Sequence, residues 1–357
     1  MKLDRRIVLT LLALGLLSFI AFTIIIGVDV RKLVGLMNVL DMKYVYLAIT
    51  FDVTFILLYA VSWYFLVRVI LERFRLRDSL IAVIMGWLGD MIVPAAFTTG
   101  EAIRLYYLKK VYDLEYSKSL AAVVVQRLLG SLAFASYLLM GLTYIWFKGL
   151  TVSRSLYHEV LAFSLISLSL VALGFLAIIR IEIFNRLVDF VADKLLVLLS
   201  RTRLKKYTAS LSEGAVSLKK SMALIRMRRG YILAAFAFLL IHWSAGIMIP
   251  YCYFKALRSP MSFWLLSLAY PIYGAVDNIP LGIPVNAGLL DIAMSATFML
   301  LGVRKEVAVG VTLLTRLTTV VFEAVFTGSV SLLFGVRRLL TEGLPNREEL
   351  GGGEGVA

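Results

Sequence analysis

The sequence predicts an all-α polytopic membrane protein with six full spans, two re-entrant helical hairpins and an inverted repeat. Three observations support this prediction: the composition, the lengths of the apolar runs, and a polar motif that occurs twice. Of the 357 residues, 61% are hydrophobic and only 17% are charged. A soluble domain cannot cover so much apolar surface, so we expect lipid to be the solvent of this chain.

Six apolar runs are long enough to cross a bilayer core of about 30 Å, which needs roughly 20 helical residues. The predicted spans are 7–28, 44–71, 118–147, 157–181, 230–256 and 305–335. The first run resembles the core of a signal peptide, but it is longer than such cores and no small-residue cleavage pattern follows it. We therefore interpret it as the first membrane helix.

Four shorter apolar pieces remain, at 79–93, 101–112, 260–276 and 288–302. At about 1.5 Å per residue, the 12 to 15 residues of three of them reach roughly 18 to 23 Å, which is too little to cross upright. The pieces pair around breaks at Pro94–Gly100 and Pro280–Gly288, and each pair is predicted to be a re-entrant hairpin. Irregular backbone at membrane depth requires protein or a wet cavity beside it, so we expect both breaks to face inward.

The basic residues predict the orientation. With both termini in the cytoplasm, 26 Lys and Arg lie on the inside and 9 on the outside, while Arg127 and Arg316 lie within spans. This bias follows the positive-inside rule, and we expect a multi-pass protein of the cell membrane.

Residues 1–340 form one predicted membrane domain. Its repeat halves are about 44–147 and 230–335, separated by a cytoplasmic amphipathic insert at 182–229, and 341–357 is a predicted disordered tail. The insert begins with a helix that we expect to lie on the cytoplasmic leaflet. Its apolar stripe consists of Phe184, Leu187, Val188, Val191 and Leu195.

The net charge of +14 does not indicate nucleic acid, because the basic residues cluster beside apolar runs, where they face anionic lipid. Only two histidines (His158 and His242) and one cysteine (Cys252) occur, so we expect no His-based metal centre and no intrachain disulfide. No cofactor is expected.

The polar motif has the same order in both halves. In the first, Asp90 precedes a Pro-containing break, Gly100 and Glu101 begin a short helix, and Gln126–Arg127 lie deep in the next span. In the second half the corresponding residues are Asp277, Gly288, Asp291 and Thr315–Arg316. Glu101 to Arg127 is 26 positions and Asp291 to Arg316 is 25. The number of intervening spans makes the two Arg-bearing helices antiparallel, which predicts an inverted repeat around a midplane site.

An arginine near mid-depth needs a partner or water. One interpretation is structural ion pairs, Arg127 with Glu101 and Arg316 with Asp291. The other is an anion site, because a helix beginning in mid-membrane presents free N–H groups near an arginine. The two are compatible, and the sequence does not decide whether both acids are structural or functional. We expect Arg104 to extend towards the cytoplasmic headgroups.

Three further polar residues are weaker candidates. Asp52 lies mid-span and is a site candidate, Glu323 is expected to be a structural neighbour of Arg316, and His242 a hydrogen-bonded packing residue. The full predicted substrate-binding set is Asp90, Gly100, Glu101, Arg104, Gln126, Arg127, Asp277, Asn278, Asn286, Gly288, Asp291 and Arg316.

The motif "P-x5-G-E-x-x-R-L-Y-Y-L-K-K", the following polar-Arg pair, "P-x3-G-x-x-D" and "LLTRL" resemble the flippase-like integral membrane family. This family is the transmembrane region of lysylphosphatidylglycerol synthases, which also occurs as stand-alone proteins. The resemblance implies a multi-span bundle with re-entrant helices that moves or presents lipids with charged headgroups.

There are departures from the pattern of that family. No arginine lies between Pro94 and Gly100, Gln126 stands where a Glu is usual, and Asp291 is one carbon shorter than the usual Glu. The large soluble acyltransferase domain of the synthases is not present in the sequence, so aminoacyl transfer by this chain alone is not expected.

The sequence therefore predicts a non-enzymatic, flippase-like lipid transporter. Its expected partners are membrane lipids, anionic or polyprenyl-linked, and homo-oligomerisation is left open. Two alternatives remain: a membrane-embedded transferase using a lipid-linked donor, and a lipid-organising scaffold. The lipid, the direction of transport and the energy coupling are not predicted.

Overall fold

The structure is a computed structural model. It describes residues 27–93, 98–148, 180–200, 208–277, 279, 283–336 and 338–339, with short pieces inside 17–25 and 161–176. Within these ranges the regular structure is helical and no strand occurs.

Twelve helices are numbered here in chain order. They are α1 (Val30–Asn38), α2 (Met42–Ile70), α3 (Leu76–Ile92), α4 (Thr98–Tyr112), α5 (Tyr116–Lys148), α6 (Ile181–Ser200), α7 (Thr208–Met227), α8 (Arg229–Ala256), α9 (Phe263–Asp277), α10 (Leu289–Leu300), α11 (Lys305–Arg316) and α12 (Glu323–Val330). A short 3-10 turn, Pro284–Asn286, precedes α10, and π-helical segments Leu317–Phe322 and Ser331–Val336 flank α12.

Four helices in the described ranges have the length and apolar composition of membrane spans. They are α2, α5, α8 and the continuous helix Lys305–Gly335, which contains α11 and α12. The bounds of these helices agree with four of the six predicted spans to within about two residues at each end. Most of the other two predicted spans, 7–28 and 157–181, lies outside the described residues.

Four short helices correspond to the four predicted short pieces. Helices α3 and α4 have 17 and 15 residues, and α9 and α10 have 15 and 12. Each contacts its partner, α3 against α4 and α9 against α10. Pro94 and Pro280, at which the two predicted breaks begin, lie outside the described residues.

Helix α1 is a feature that the sequence did not predict. Its N-cap is Asp29, whose Oδ1 accepts the backbone N–H groups of Arg31 at 2.9 Å and Lys32 at 3.3 Å. Asp41 caps α2 in the same way, accepting from Lys43 at 3.0 Å. A side-chain oxygen at this position satisfies backbone donors that the first helical turn leaves unpaired.

The helices pack around two large apolar clusters of buried side chains. One contains residues of α2 to α8, with Trp63, Phe74 and Tyr107 among its largest members. The other contains residues of α2, α5 and α8 to α11, with Tyr253 and Phe298 among its largest members. Helices α2 and α8 make the most extensive contact in the described structure, so they join the two clusters.

The predicted insert consists of α6 and α7, which pack against each other. On the predicted stripe of α6, Phe184 is buried whereas Leu187, Val191 and Leu195 are exposed. An apolar helix face of this kind suits the membrane interface.

A buried acid ties the C-terminal end of the described chain to the bundle. Asp78 accepts hydrogen bonds from the Tyr107 hydroxyl at 2.8 Å, the Tyr112 hydroxyl at 2.5 Å and Arg338 Nε at 3.1 Å. This contact joins α3, α4 and the residues after the last span.

Candidate functional site

A cavity of about 590 Å³ lies between helices from both predicted halves. Helices α2 to α5 and α8 to α12 and the Pro284–Asn286 turn contribute to its wall. Its volume falls within the range of small-molecule sites. The charged and amide side chains that line it are Asp90, Arg104, Gln126, Arg127, Asn286, Arg316 and Glu323.

The start of α4 is held against α3 by close backbone approach. The Gly100 N–H donates to Asp90 Oδ1 at 2.7 Å. A Cβ at position 100 would meet the Asp90 carboxylate and lie 2.6 Å from the Gly86 carbonyl oxygen. Glycine is therefore required at position 100 for packing. Asp90 accepts a hydrogen bond from one of the backbone N–H groups at the start of the helix, which an anion could otherwise bind.

Glu101 pairs with Arg127, as the structural interpretation predicted. Arg127 Nε donates to Glu101 Oε1 across α4 and α5. The Arg127 side chain remains 39% exposed and lines the cavity, whereas Glu101 is 17% exposed and is not part of the lining. The pair thus presents its guanidinium to the cavity.

The predicted extension of Arg104 towards the headgroups is wrong, because this residue is only 4% exposed. Arg104 Nη1 donates to Gln126 Oε1 at 2.8 Å, and its guanidinium lies 5.0 Å from the Trp63 ring and 5.4 Å from the Tyr59 ring. Glu101 lies 3.9 Å away. The aromatic faces and the short reach from α4 to α5 hold the charge inside the bundle.

Gln126 completes this arrangement. Its amide nitrogen donates to the Tyr59 carbonyl at 3.0 Å and contacts Ser62 Oγ at 3.3 Å. The side-chain amide therefore accepts a hydrogen bond from Arg104 and also donates one to the backbone of α2. A glutamate at this position could not donate to the Tyr59 carbonyl when ionised.

The second motif has related chemistry. Asp291 Oδ2 accepts the Gly288 N–H at 2.6 Å, and its Oδ1 accepts from Arg316 Nε at 3.1 Å. The predicted Arg316–Asp291 pair is therefore present. Arg316 lines the cavity, whereas neither Gly288 nor Asp291 does.

The turn before α10 has an unusual backbone. Val285 and Asn286 have φ of 49° and 48°, and Gly288 has φ of 81°. A β-branched residue such as Val285 rarely adopts the left-handed region. Arg316 Nη2 donates to the Val285 carbonyl oxygen, so the arginine holds this turn in place.

Two of the predicted site residues cannot be placed fully. Asp277 is the last residue of α9, and only its backbone is described. Asn278 lies outside the described residues. Asn286, by contrast, is buried and lines the cavity.

An aromatic wall was not predicted. Phe55, Tyr59, Trp87, His242 and Trp243 line the cavity and contact one another. His242 Nδ1 lies 2.7 Å from the Phe55 carbonyl oxygen, and its ring stacks on the Phe55 ring at 3.8 Å, which confirms the predicted packing role. These residues are spread over three helices, and in an apolar sequence no spacing distinguishes them from ordinary core residues.

The prediction for Glu323 was incomplete. Its Oε2 accepts the indole N–H of Trp87 at 2.7 Å, and its carboxyl contacts that of Asp52. In the described part of the chain, no group of three or more His, Cys, Asp or Glu side chains could hold a metal ion.

The fold and the cavity define a polytopic helical membrane protein with a charged internal site. The sequence matches the family described as "Lysylphosphatidylglycerol synthase TM region" over residues 7–326. The chain therefore belongs to this family, as the resemblance predicted.

Its relatives include membrane proteins of archaea. A UPF0104 membrane protein of Pyrococcus horikoshii is 26% identical over 81% of this chain and 86% of its own length. A UPF0104 membrane protein of Methanocaldococcus jannaschii is 24% identical over 92% of this chain and 95% of its own. No solved structure matches the chain.

Proposed function

We propose that this protein is a non-enzymatic, flippase-like transporter that moves or presents an anionic or lipid-linked headgroup across the cell membrane. The observation that carries the proposal is the cavity, because Arg104 and Arg127 of one half and Arg316 of the other line it together. Guanidinium groups bind phosphate through paired, charge-assisted hydrogen bonds. The acyl tails of such a lipid would stay in the bilayer.

The helix lengths support two re-entrant hairpins, α3–α4 and α9–α10. At about 1.5 Å per residue, helices of 12 to 17 residues reach roughly 18 to 26 Å, less than the bilayer core. In the proposed arrangement the hairpins enter from opposite leaflets, both termini are cytoplasmic, and an inverted repeat alternates access to a midplane site.

The matching chemistry of the two motifs supports the repeat. In each half a glycine N–H at a helix start donates to a carboxylate, and an acid in the first turn pairs with an arginine of the next span. In the first half these tasks are divided between Asp90 and Glu101, whereas Asp291 performs both in the second half.

Reconstitution into vesicles tests the proposal. Vesicles would contain a trace of a fluorescent phosphatidylglycerol, phosphatidylcholine or polyprenyl phosphate, and dithionite would bleach the outer leaflet. We expect protein-dependent exchange for the anionic lipids, reduced at least tenfold in the variant Arg127→Gln/Arg316→Gln. A matched control is Arg186→Gln on α6, which lies in the insert and not on the cavity wall.

Exchange no faster than in empty vesicles for all three lipids would contradict the proposal. A transferase would instead yield a chemically altered lipid, which mass spectrometry of the same vesicles would detect.

A further inference from the structure

A pair of carboxyl groups, those of Asp52 and Glu323, lies beside the cavity. Asp52 of α2 is fully buried and Glu323 of α12 is 4% exposed. Their carboxyl groups are close neighbours that interact electrostatically. Glu323 lines the cavity, and Asp52 lies behind it, outside the lining.

The surroundings of the pair are unequal. Glu323 accepts the Trp87 indole N–H and experiences the charge of Arg316, which is itself hydrogen bonded to Asp291. No donor in the described residues supplies a hydrogen bond to either oxygen of Asp52. The other titratable group facing Asp52 is Tyr253 of α8, whose hydroxyl is engaged by Thr318.

Two ionised carboxylates in such a place would repel each other with little water to screen them. A proton shared between the two removes the repulsion and makes their contact a hydrogen bond. The proton belongs to the pair rather than to one residue, because interacting acids titrate together. An apolar pair would pack here at lower cost, so stability alone does not account for two acids.

The charges around the cavity give this proton a function. The three arginines Arg104, Arg127 and Arg316 are balanced by three carboxylates, those of Asp90, Glu101 and Asp291. An anion entering the cavity adds one negative charge beside Glu323, and a second proton on the pair restores the previous balance. That proton is taken up from the aqueous solution on the side from which the anion enters.

We propose that Asp52 and Glu323 form a proton-binding pair that couples the uptake of an anionic headgroup to the uptake of a proton. The coupling to anion uptake rests on the proposed transport function. The presence of a shared proton on Asp52 and Glu323 does not depend on that function. Because linkage is reciprocal, the anion strengthens proton binding by the factor by which the proton strengthens anion binding. Anion and proton therefore move in the same direction.

Infrared spectroscopy of the purified protein tests the pair directly. Near neutral pH we expect the carbonyl stretch of a protonated carboxyl group, which is lost on alkaline titration and is absent in both Asp52→Asn and Glu323→Gln. Asp113→Asn is the control, since this acid lies in an exposed loop. A wild-type spectrum without this band, or a band unchanged in both variants, would overturn the proposal.

Vesicle transport tests the coupling. With fluorescent phosphatidylglycerol, an inward proton gradient should drive net movement of the lipid to the inner leaflet. In the linear range the exchange rate should increase about tenfold for each unit by which the pH falls, as expected for one linked proton. Both Asp52→Asn and Glu323→Gln should abolish this pH dependence.

The outcomes separate the two proposals. Exchange by the wild-type protein that is indifferent to pH and to the gradient would refute the coupling and leave the transport function standing. No exchange in any vesicle would refute the transport function and the coupling with it, and the infrared result alone would then decide the proton pair.

Discussion

The two Arg–carboxylate pairs should contribute unequally to stability, because they differ in burial. The side chains of Arg316 and Asp291 are 13% and 11% exposed, whereas those of Arg127 and Glu101 are 39% and 17% exposed. Removing one partner of a buried pair leaves an uncompensated charge and costs about 3–5 kcal/mol. A partner that faces a wet cavity is screened, and the cost falls to about 1 kcal/mol.

We therefore expect Asp291→Asn to lower the free energy of unfolding by about 3 kcal/mol, at the lower end of that range. The reason is that an asparagine Oδ1 can still accept the Gly288 N–H. Glu101→Gln should lower it by about 1 kcal/mol. The double variant Asp291→Asn/Arg316→Gln should recover at least half of the loss, because the unpaired charge is gone.

Unfolding in mixed micelles of dodecyl maltoside and SDS, followed by tryptophan fluorescence, measures these differences. Equal decreases in the free energy of unfolding for Asp291→Asn and Glu101→Gln would show that burial does not control the strength of the ion pairs. A double variant as unstable as the sum of its parts would show that Arg316 and Asp291 do not act as a pair.

Three further predictions concern the cavity wall. Gly100→Ala should destabilise the protein by about 1–3 kcal/mol through overpacking against Gly86, whereas Gly328→Ala, with open space around it, should be neutral or slightly stabilising in the same unfolding assay. Arg104→Met should retain folded protein, seen by size-exclusion chromatography, but reduce anionic lipid exchange at least tenfold. Trp87→Phe removes the N–H that donates to Glu323, so the infrared carbonyl band of the carboxyl pair should shift to higher wavenumber.

The helices and the ion pairs were within reach of sequence reasoning. Apolar runs and their lengths predicted the four described spans and the four short helices, because bilayer thickness limits the length of both. The pairs Arg127–Glu101 and Arg316–Asp291 followed from the repeated spacing and from the cost of an unpaired arginine in lipid.

The remaining contacts depend on packing between distant segments. Arg104 was placed incorrectly because its partners, Tyr59, Trp63 and Gln126, lie on two other spans that the sequence could not bring beside it. The contact of Asp52 with Glu323 joins residues 271 positions apart. Helix α1 was missed because its nine residues form no long apolar run.

The left-handed turn at Val285 has a consequence for the loading of the cavity. A residue of this kind in the left-handed region costs about 1–3 kcal/mol, and here the hydrogen bond from Arg316 offsets that cost. An anion that drew the guanidinium to itself would free the valine to return to an ordinary conformation. Binding of an anion by Arg316 and relaxation of the turn at Val285 would then be coupled through this one side chain.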